Sequence, residues 1–131
     1  MNSYFQKVKD YLLELDFSIV SEDEEDGVFV VENEEGGMKN VVLIVSDPIV
    51  IVEQYLFDLS ADSSDIFKKL LMKNRDIIHG AFALDETGKR VLFRNTHECV
   101  NLDLNEIEAT LNSLALLLSE YTDELIAFSK N

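Results

Sequence analysis

The chain has 131 residues, 47% of them hydrophobic, one cysteine and a formal net charge of −15. That length suits one domain with a core of its own, and the hydrophobic content excludes a disordered chain. The charge repels phosphate, which excludes nucleic acid and anionic membrane as partners, and the lone Cys99 excludes an internal disulfide and fits a reducing compartment.

Met1 to Leu13 mixes Lys7, Lys9 and Asp10 into its apolar residues, so no signal peptide is read there. Ser3 to Leu15 reads as a helix with Phe5, Val8, Leu12 and Leu15 on one face, and Ser3 with Gln6 fits a capping box. Phe17 to Ser21 looks extended. Glu22 to Gly27 is an acidic turn closed by the hairpin-type pair Asp26-Gly27. Val28 to Asn33 is a strand, Glu34 to Gly37 a turn, and Met38 to Ser46 and Ile49 to Leu59 are two longer strands. Asp47-Pro48 separates those two strands, and Asp47, Pro48 and Glu53 exclude a membrane span across Val41 to Phe57. Asp62, Ser63, Ser64 and Asp65 are N-cap residues for a middle helix carrying Ile66, Phe67, Leu70 and Leu71 on one side. His79 to Asp85 and Arg90 to Asn95 form a hairpin around Glu86 to Lys89. Asp103 and Glu106 make a capping box for a helix of about 24 residues, on the order of 36 Å, whose stripe is Leu104, Ile107, Leu111, Leu114, Leu118, Tyr121, Leu125 and Phe128.

Strands joined by short turns imply an α+β domain. Its antiparallel sheet has five to six strands, with helices at the N-terminus, middle and C-terminus, in the order α-β-β-β-β-α-β-β-α. A sheet covered on one face alternates apolar and polar residues. Val41 to Val45 and Ile49 to Val52 are apolar throughout, so both faces of the sheet centre are apolar. Two helices can pack on one face, with the middle helix at an edge or interface. The other face then needs the middle helix, a second subunit or a bound chain.

Leu70-Leu71-Met72-Lys73-Asn74, then Gly80-Ala81-Phe82-Ala83-Leu84-Asp85-Glu86-Thr87-Gly88-Lys89-Arg90-Val91-Leu92-Phe93-Arg94, then Asn101-Leu102-Asp103-Leu104 resembles the C-terminal half of type III secretion chaperone-like proteins. These comprise the Tir-chaperone family and the related YbjN-like domains. The similar stretch runs from about Ser64 to Lys130, and the element order extends it over the rest. Asp76-Ile77-Ile78-His79 stands where secretion chaperones carry more glycine, and one strand exceeds their usual set, which points to the YbjN-like branch. The resemblance implies a small acidic cytoplasmic homodimer with no cofactor and no catalysis that binds a protein segment.

Three features bear on chemistry. His97 and Cys99 would share a side of an extended segment, where a histidine can activate a thiolate, but no third orienting group accompanies them, and a strand end is the plainer reading. One cysteine and two histidines supply no zinc framework. Asp10 to Met38 holds eleven acidic residues and no Lys or Arg. It lacks the ligand spacing of a calcium loop and reads as a solvated turn region that discourages edge pairing.

The expected function is therefore a non-enzymatic, chaperone-like protein-binding module. The alternative is a regulatory domain holding a small molecule in an apolar pocket. The expected partner-binding track is Val42 and Ile44 with Val50 and Val52, for an apolar segment with basic flanks. The expected homodimer interface is Ile66, Phe67, Leu70 and Leu71.

Overall fold

Phe5, Val8 and Leu12 recur at helical spacing, and in the computed structural model they form the buried side of helix α1 (Ser3–Glu14). Residues 3–60 and 64–129 are described, excepting the side chain of Ser3. The expected caps at Asp62 and Ser63, and the Ser3 half of the first capping box, lie outside them. Strands β1 (Ser18–Asp23), β2 (Val28–Asn33), β3 (Met38–Ser46) and β4 (Ile49–Asp58) follow. Then come helix α2 (Ser64–Asn74), strands β5 (Ala81–Leu84) and β6 (Arg90–Glu98), and helix α3 (Leu104–Ser129). The order matches the expected one, and α3 has 26 residues. Its start is fixed by Asp103, whose Oδ1 accepts the Glu106 N–H at 2.8 Å.

The six strands form one antiparallel sheet in the order β1-β2-β3-β4-β6-β5. The turn between β1 and β2 depends on Gly27, which has φ of +73°. A Cβ there would meet the Val45 carbonyl oxygen at 2.2 Å, so only glycine fits. The Val45 N–H donates back to the Gly27 carbonyl at 2.7 Å, tying this turn to β3.

All three helices lie on the same side. Phe5 of α1 stacks on Phe29 of β2, with ring centroids 4.1 Å apart. Phe128 and Tyr121 of α3 meet Phe57 of β4 and Phe82 of β5. Lys73 of α2 pairs with Glu124 of α3 at 2.8 Å and lies over the Tyr121 ring, which places α2 beside α3 and next to the edge strand β5. The core joins Phe29, Val31, Val41, Leu43, Phe93 and the buried stripe of α3 into one cluster. Each of these fully buried side chains contributes roughly 1.5–3 kcal/mol of burial free energy.

The register corrects one expectation. β3 and β4 meet across Asp47-Pro48 with Ser46 opposite Ile49, Val45 opposite Val50 and Leu43 opposite Val52. Directly opposed residues of an antiparallel pair share a face. Val50 and Val52 therefore point inward with Val45 and Leu43, and both are 0% exposed. They do not join Val42 and Ile44, whose opposite numbers are Glu53 and Ile51. Gln54, on the same side of β4, is buried as well.

The outer edge of β5 is occupied by a side chain. Asn74, the last residue of α2, accepts the Phe82 N–H at 2.7 Å and donates its amide to the Phe82 carbonyl at 3.2 Å. One asparagine thus takes both hydrogen bonds that a neighbouring strand would make at that residue. Asn74→Ala is expected to cost about 2 kcal/mol, because two partly buried backbone groups lose their partners. Urea denaturation reads this directly, and a loss under about 0.5 kcal/mol would show that water replaces the side chain fully.

Candidate functional site

Register places the remaining strand residues on the side away from the helices. Val28 lies opposite Ile44, Ile44 opposite Ile51, and Ile51 opposite Thr96; Val30 lies opposite Val42, and Val42 opposite Glu53. Val28, Val30, Val42, Ile44, Ile49 and Ile51 are all half-buried. The result is an apolar band across β2, β3 and β4, bordered by the Glu53–Arg94 ion pair at 3.6 Å and by exposed Tyr55. Of the four residues expected to form the binding track, the structure brings together Val42 and Ile44 and removes Val50 and Val52. Ile49 and Ile51 take their places. The signal was present: a two-residue turn between Ser46 and Ile49 makes each even-numbered residue of β3 face an odd-numbered one of β4.

The four residues expected at a dimer interface also divide. Ile66 and Leu70 are buried in the protomer's own core, whereas Phe67 is 39% exposed and Leu71 70%. Residues one turn apart on α2 pack inward, and their immediate neighbours point out. Phe67 and Leu71 line a groove of about 260 Å³ between α2 and β5, floored by Phe82, Leu84 and Val91. The groove is almost wholly apolar and opens at the surface. Exposed Met72 extends the apolar surface of α2 further.

A partly buried polar cluster lies under the first turns of α3. The Asn95 amide donates to the Thr110 hydroxyl oxygen at 2.8 Å, and that hydroxyl lies 2.7 Å from His97 Nε2. Thr110 is fully buried. We assign the neutral imidazole with Nε2 as acceptor, since the Thr110 hydroxyl, which accepts from Asn95, then has its proton to donate. Burial pushes the His97 pKa below the ordinary histidine value, with neighbouring His79 adding to the effect and Glu106 opposing it. Nothing in the sequence around Asn95 or Thr110 marked this cluster.

Cys99 opens a short 3-10 turn (Cys99–Asn101) and is buried. Its N–H donates to the Pro48 carbonyl at 2.8 Å. Burial, reinforced by Asp47, pushes the thiol pKa up, the opposite of what a nucleophile needs. His97 is turned to Thr110, so the tempting His–Cys pair is not an activated one. Among the described residues, no three His, Cys, Asp or Glu side chains gather as a metal site, and no helix is long and apolar enough to cross a membrane.

Comparison with known proteins bears on this geometry. The family model described as CesT_Tir_1 matches residues 1–131. No curated protein matches the sequence. Among solved structures, the heterodimeric ExoU–SpcU complex from the type III secretion system of Pseudomonas aeruginosa superposes with a TM-score of 0.66 at 15% identity, covering 86% of this chain and 92% of that one. The Yersinia pestis type III secretion chaperone SycH, in complex with a fragment of YscM2, gives 0.60 at 17% identity, with coverage of 97% and 100%. YbjN from E. coli gives 0.63 at 7% identity, with 91% of each chain covered. At these identities the likeness is one of fold, and it confirms the secretion-chaperone-like α+β arrangement, YbjN included.

The His97 cluster yields a pH prediction. In the folded chain His97 binds its proton less readily than in the unfolded chain, so stability rises with pH through this group. No penalty is present above the ordinary histidine pKa of about 6.5; it grows as pH falls through that value and levels off below the depressed folded pKa. Melting temperature is expected to drop between neutral and mildly acidic pH more steeply in the native sequence than in His97→Gln. Parallel curves would show that His97 titrates as an ordinary histidine.

Proposed function

The chain belongs to the CesT_Tir_1 family, and on that premise we propose that it is a chaperone-like, non-enzymatic module that holds a segment of a partner protein and works as a homodimer in the cytoplasm. The observation that carries this reading is the apolar band of Val28, Val30, Val42, Ile44, Ile49 and Ile51, which no helix of the protomer covers. Structures of the same fold include a type III secretion chaperone in complex with a protein fragment, which supports a protein ligand over a small molecule. The net charge of −15 favours an apolar segment with Lys or Arg flanks, steered in by long-range attraction. The same charge disfavours nucleic acid and anionic membrane. No cofactor enters the reading.

The dimer is proposed through α2. A stable dimer needs an apolar surface of roughly 800 Å² per partner. Phe67, Leu71 and the groove they form with Leu84 offer such a surface at the sheet end distant from β1.

Two experiments test these readings. The double variant Val42→Asp with Ile51→Asp should stay folded, since both side chains are only half-buried, and should lose the proteins that the native chain recovers from lysate. Full recovery by a folded variant would place the binding surface elsewhere. Binding of a recovered segment should also weaken with salt and carry a negative heat-capacity change, the mark of apolar burial with electrostatic steering. For the dimer, Phe67→Glu with Leu71→Glu should shift sedimentation toward the 14.9 kDa species. A native chain already monomeric at high micromolar concentration would overturn the dimer.

A further inference from the structure

The sheet forks between β3 and β4. The two strands pair from Ser46–Ile49 as far as Val42–Glu53 and no further. Beyond that point β3 continues with β2, and β4 continues with β6 down to Asp58. Two local irregularities open the fork. Asn40 has φ of +55°, a left-handed kink that asparagine tolerates, and the β4–β6 register skips Leu56 between Tyr55 and Phe57. From Gln54 onward, β4 therefore has a strand on one side only, and among the described residues β3 supplies no partner on the other.

A cavity of about 300 Å³ fills this gap. Phe57, Leu118 and Leu125 line its apolar part under the last turns of α3, and Lys39 stands at its rim. Gln54 also lines it and is only 8% exposed. Its amide nitrogen donates to the Tyr55 carbonyl at 3.0 Å, while its Oε1 is buried with no hydrogen-bond partner. Leaving such an acceptor unmade is costly, and native structures seldom carry one without a reason. Lys39 is also unusual: between Lys9 and Lys68 it is the one Lys or Arg in the sequence, and among the described residues it has no ion pair.

We infer that the fork is a second peptide-docking site, distinct from the outer face. Its occupant is a short extended segment that lies along β4 beyond Glu53, places one apolar side chain in the cavity, gives an N–H to Gln54 Oε1 and sets one carboxylate against Lys39. Each part answers an observation. The strand side left by β3 accepts an extended backbone. The orphaned acceptor requires a donor, and the lone cation selects an acidic group. Lys39 lines the cavity itself, so it is the positive charge at hand for a carboxylate placed there. The inference rests on the reading that this chain takes a protein segment, but it assigns a different surface and the opposite flanking charge.

The test uses isotope-labelled protein and two acetylated, amidated heptapeptides: Ser-Val-Leu-Val-Asp-Val-Ser and the same peptide with Lys in place of Asp. At millimolar concentration the Asp peptide should move the amide resonances of Tyr55, Leu56 and Phe57. Its affinity should exceed that of the Lys peptide by about threefold or more. Lys39→Glu should weaken it by about threefold or more without loss of fold, since Lys39 is exposed. Gln54→Leu should weaken it similarly while keeping or raising the melting temperature, because that change removes an unsatisfied buried acceptor. Smaller effects in either variant, or no movement at Tyr55 to Phe57, would overturn the inference. Shifts confined to Val42, Ile44 and Ile51 would overturn it too, while leaving the proposed function standing. Shifts at the fork that persist in Val42→Asp with Ile51→Asp would uphold it even if the outer-face reading fails.

Discussion

Which side chains meet the helices is decided by one pairing, Val45 opposite Val50. Because side chains alternate along a strand, that contact turns Leu43 and Val41 inward on β3 and Val52 and Gln54 inward on β4. The same alternation fixes β2 through Leu43 opposite Phe29, and Phe29 then offers its ring to Phe5 of α1. The other parity of every strand is left facing away. A slip of the whole hairpin by one residue against β2 and β6 would bury Val42 and Ile51 and expose Leu43 and Val52, with almost no change in hydrophobicity. The fold is held against that slip by features outside the hairpin. The Gly27 carbonyl accepts the Val45 N–H, and no side chain at position 27 could stand so close to β3.

The order and type of the elements were legible in the sequence. The stripe from Ile107 to Phe128 has helical spacing, and the Asp26-Gly27 and Asp47-Pro48 turns separate the strands cleanly. The resemblance seen in Leu70 to Asn74 and Gly80 to Arg94 pointed to the right fold, and the whole-chain family match bears it out. Face assignment was the part that pattern alone could not reach. Val41 to Val45 carries no polar residue to mark an outward side, and the polar Gln54 beyond Val52 is itself buried, so polarity does not mark the faces. The turn length between Ser46 and Ile49 held the answer, since it sets parity without reference to polarity. On α2 the pattern was read as one patch, but Ile66 and Leu70 belong to the core and Phe67 and Leu71 to the surface. Two adjacent apolar residues at each turn cannot be divided without knowing where the sheet lies.

The polar groups were the least visible. Asn95 and His97 of β6 meet Thr110 of α3, and no spacing or motif in the sequence between them announces the contact. Asn74 likewise reaches Phe82 across a loop whose path the sequence does not specify. The entry into β5 depends on Gly80, where a Cβ would meet the Phe93 ring at 2.4 Å and push β5 away from β6. Residues remarkable in composition, such as Cys99 and the acidic run before β2, proved to be ordinary: one a buried packing group, the other a charged turn.

The Asn74 bracket has a consequence for how copies of this chain can assemble. A sheet with an apolar face invites association, and the mode of association depends on its edges. An open edge adds strand to strand without limit and grows fibres, whereas contact through a face closes once two surfaces are covered. Here one end of the sheet is plugged by an amide at Phe82, and the other, β1, ends in Glu22 and Asp23 beside further acidic residues. Endless lateral growth is thus blocked chemically at one terminus and electrostatically at the other. That leaves the chain free to present a greasy surface to water at high concentration without seeding amyloid-like polymers.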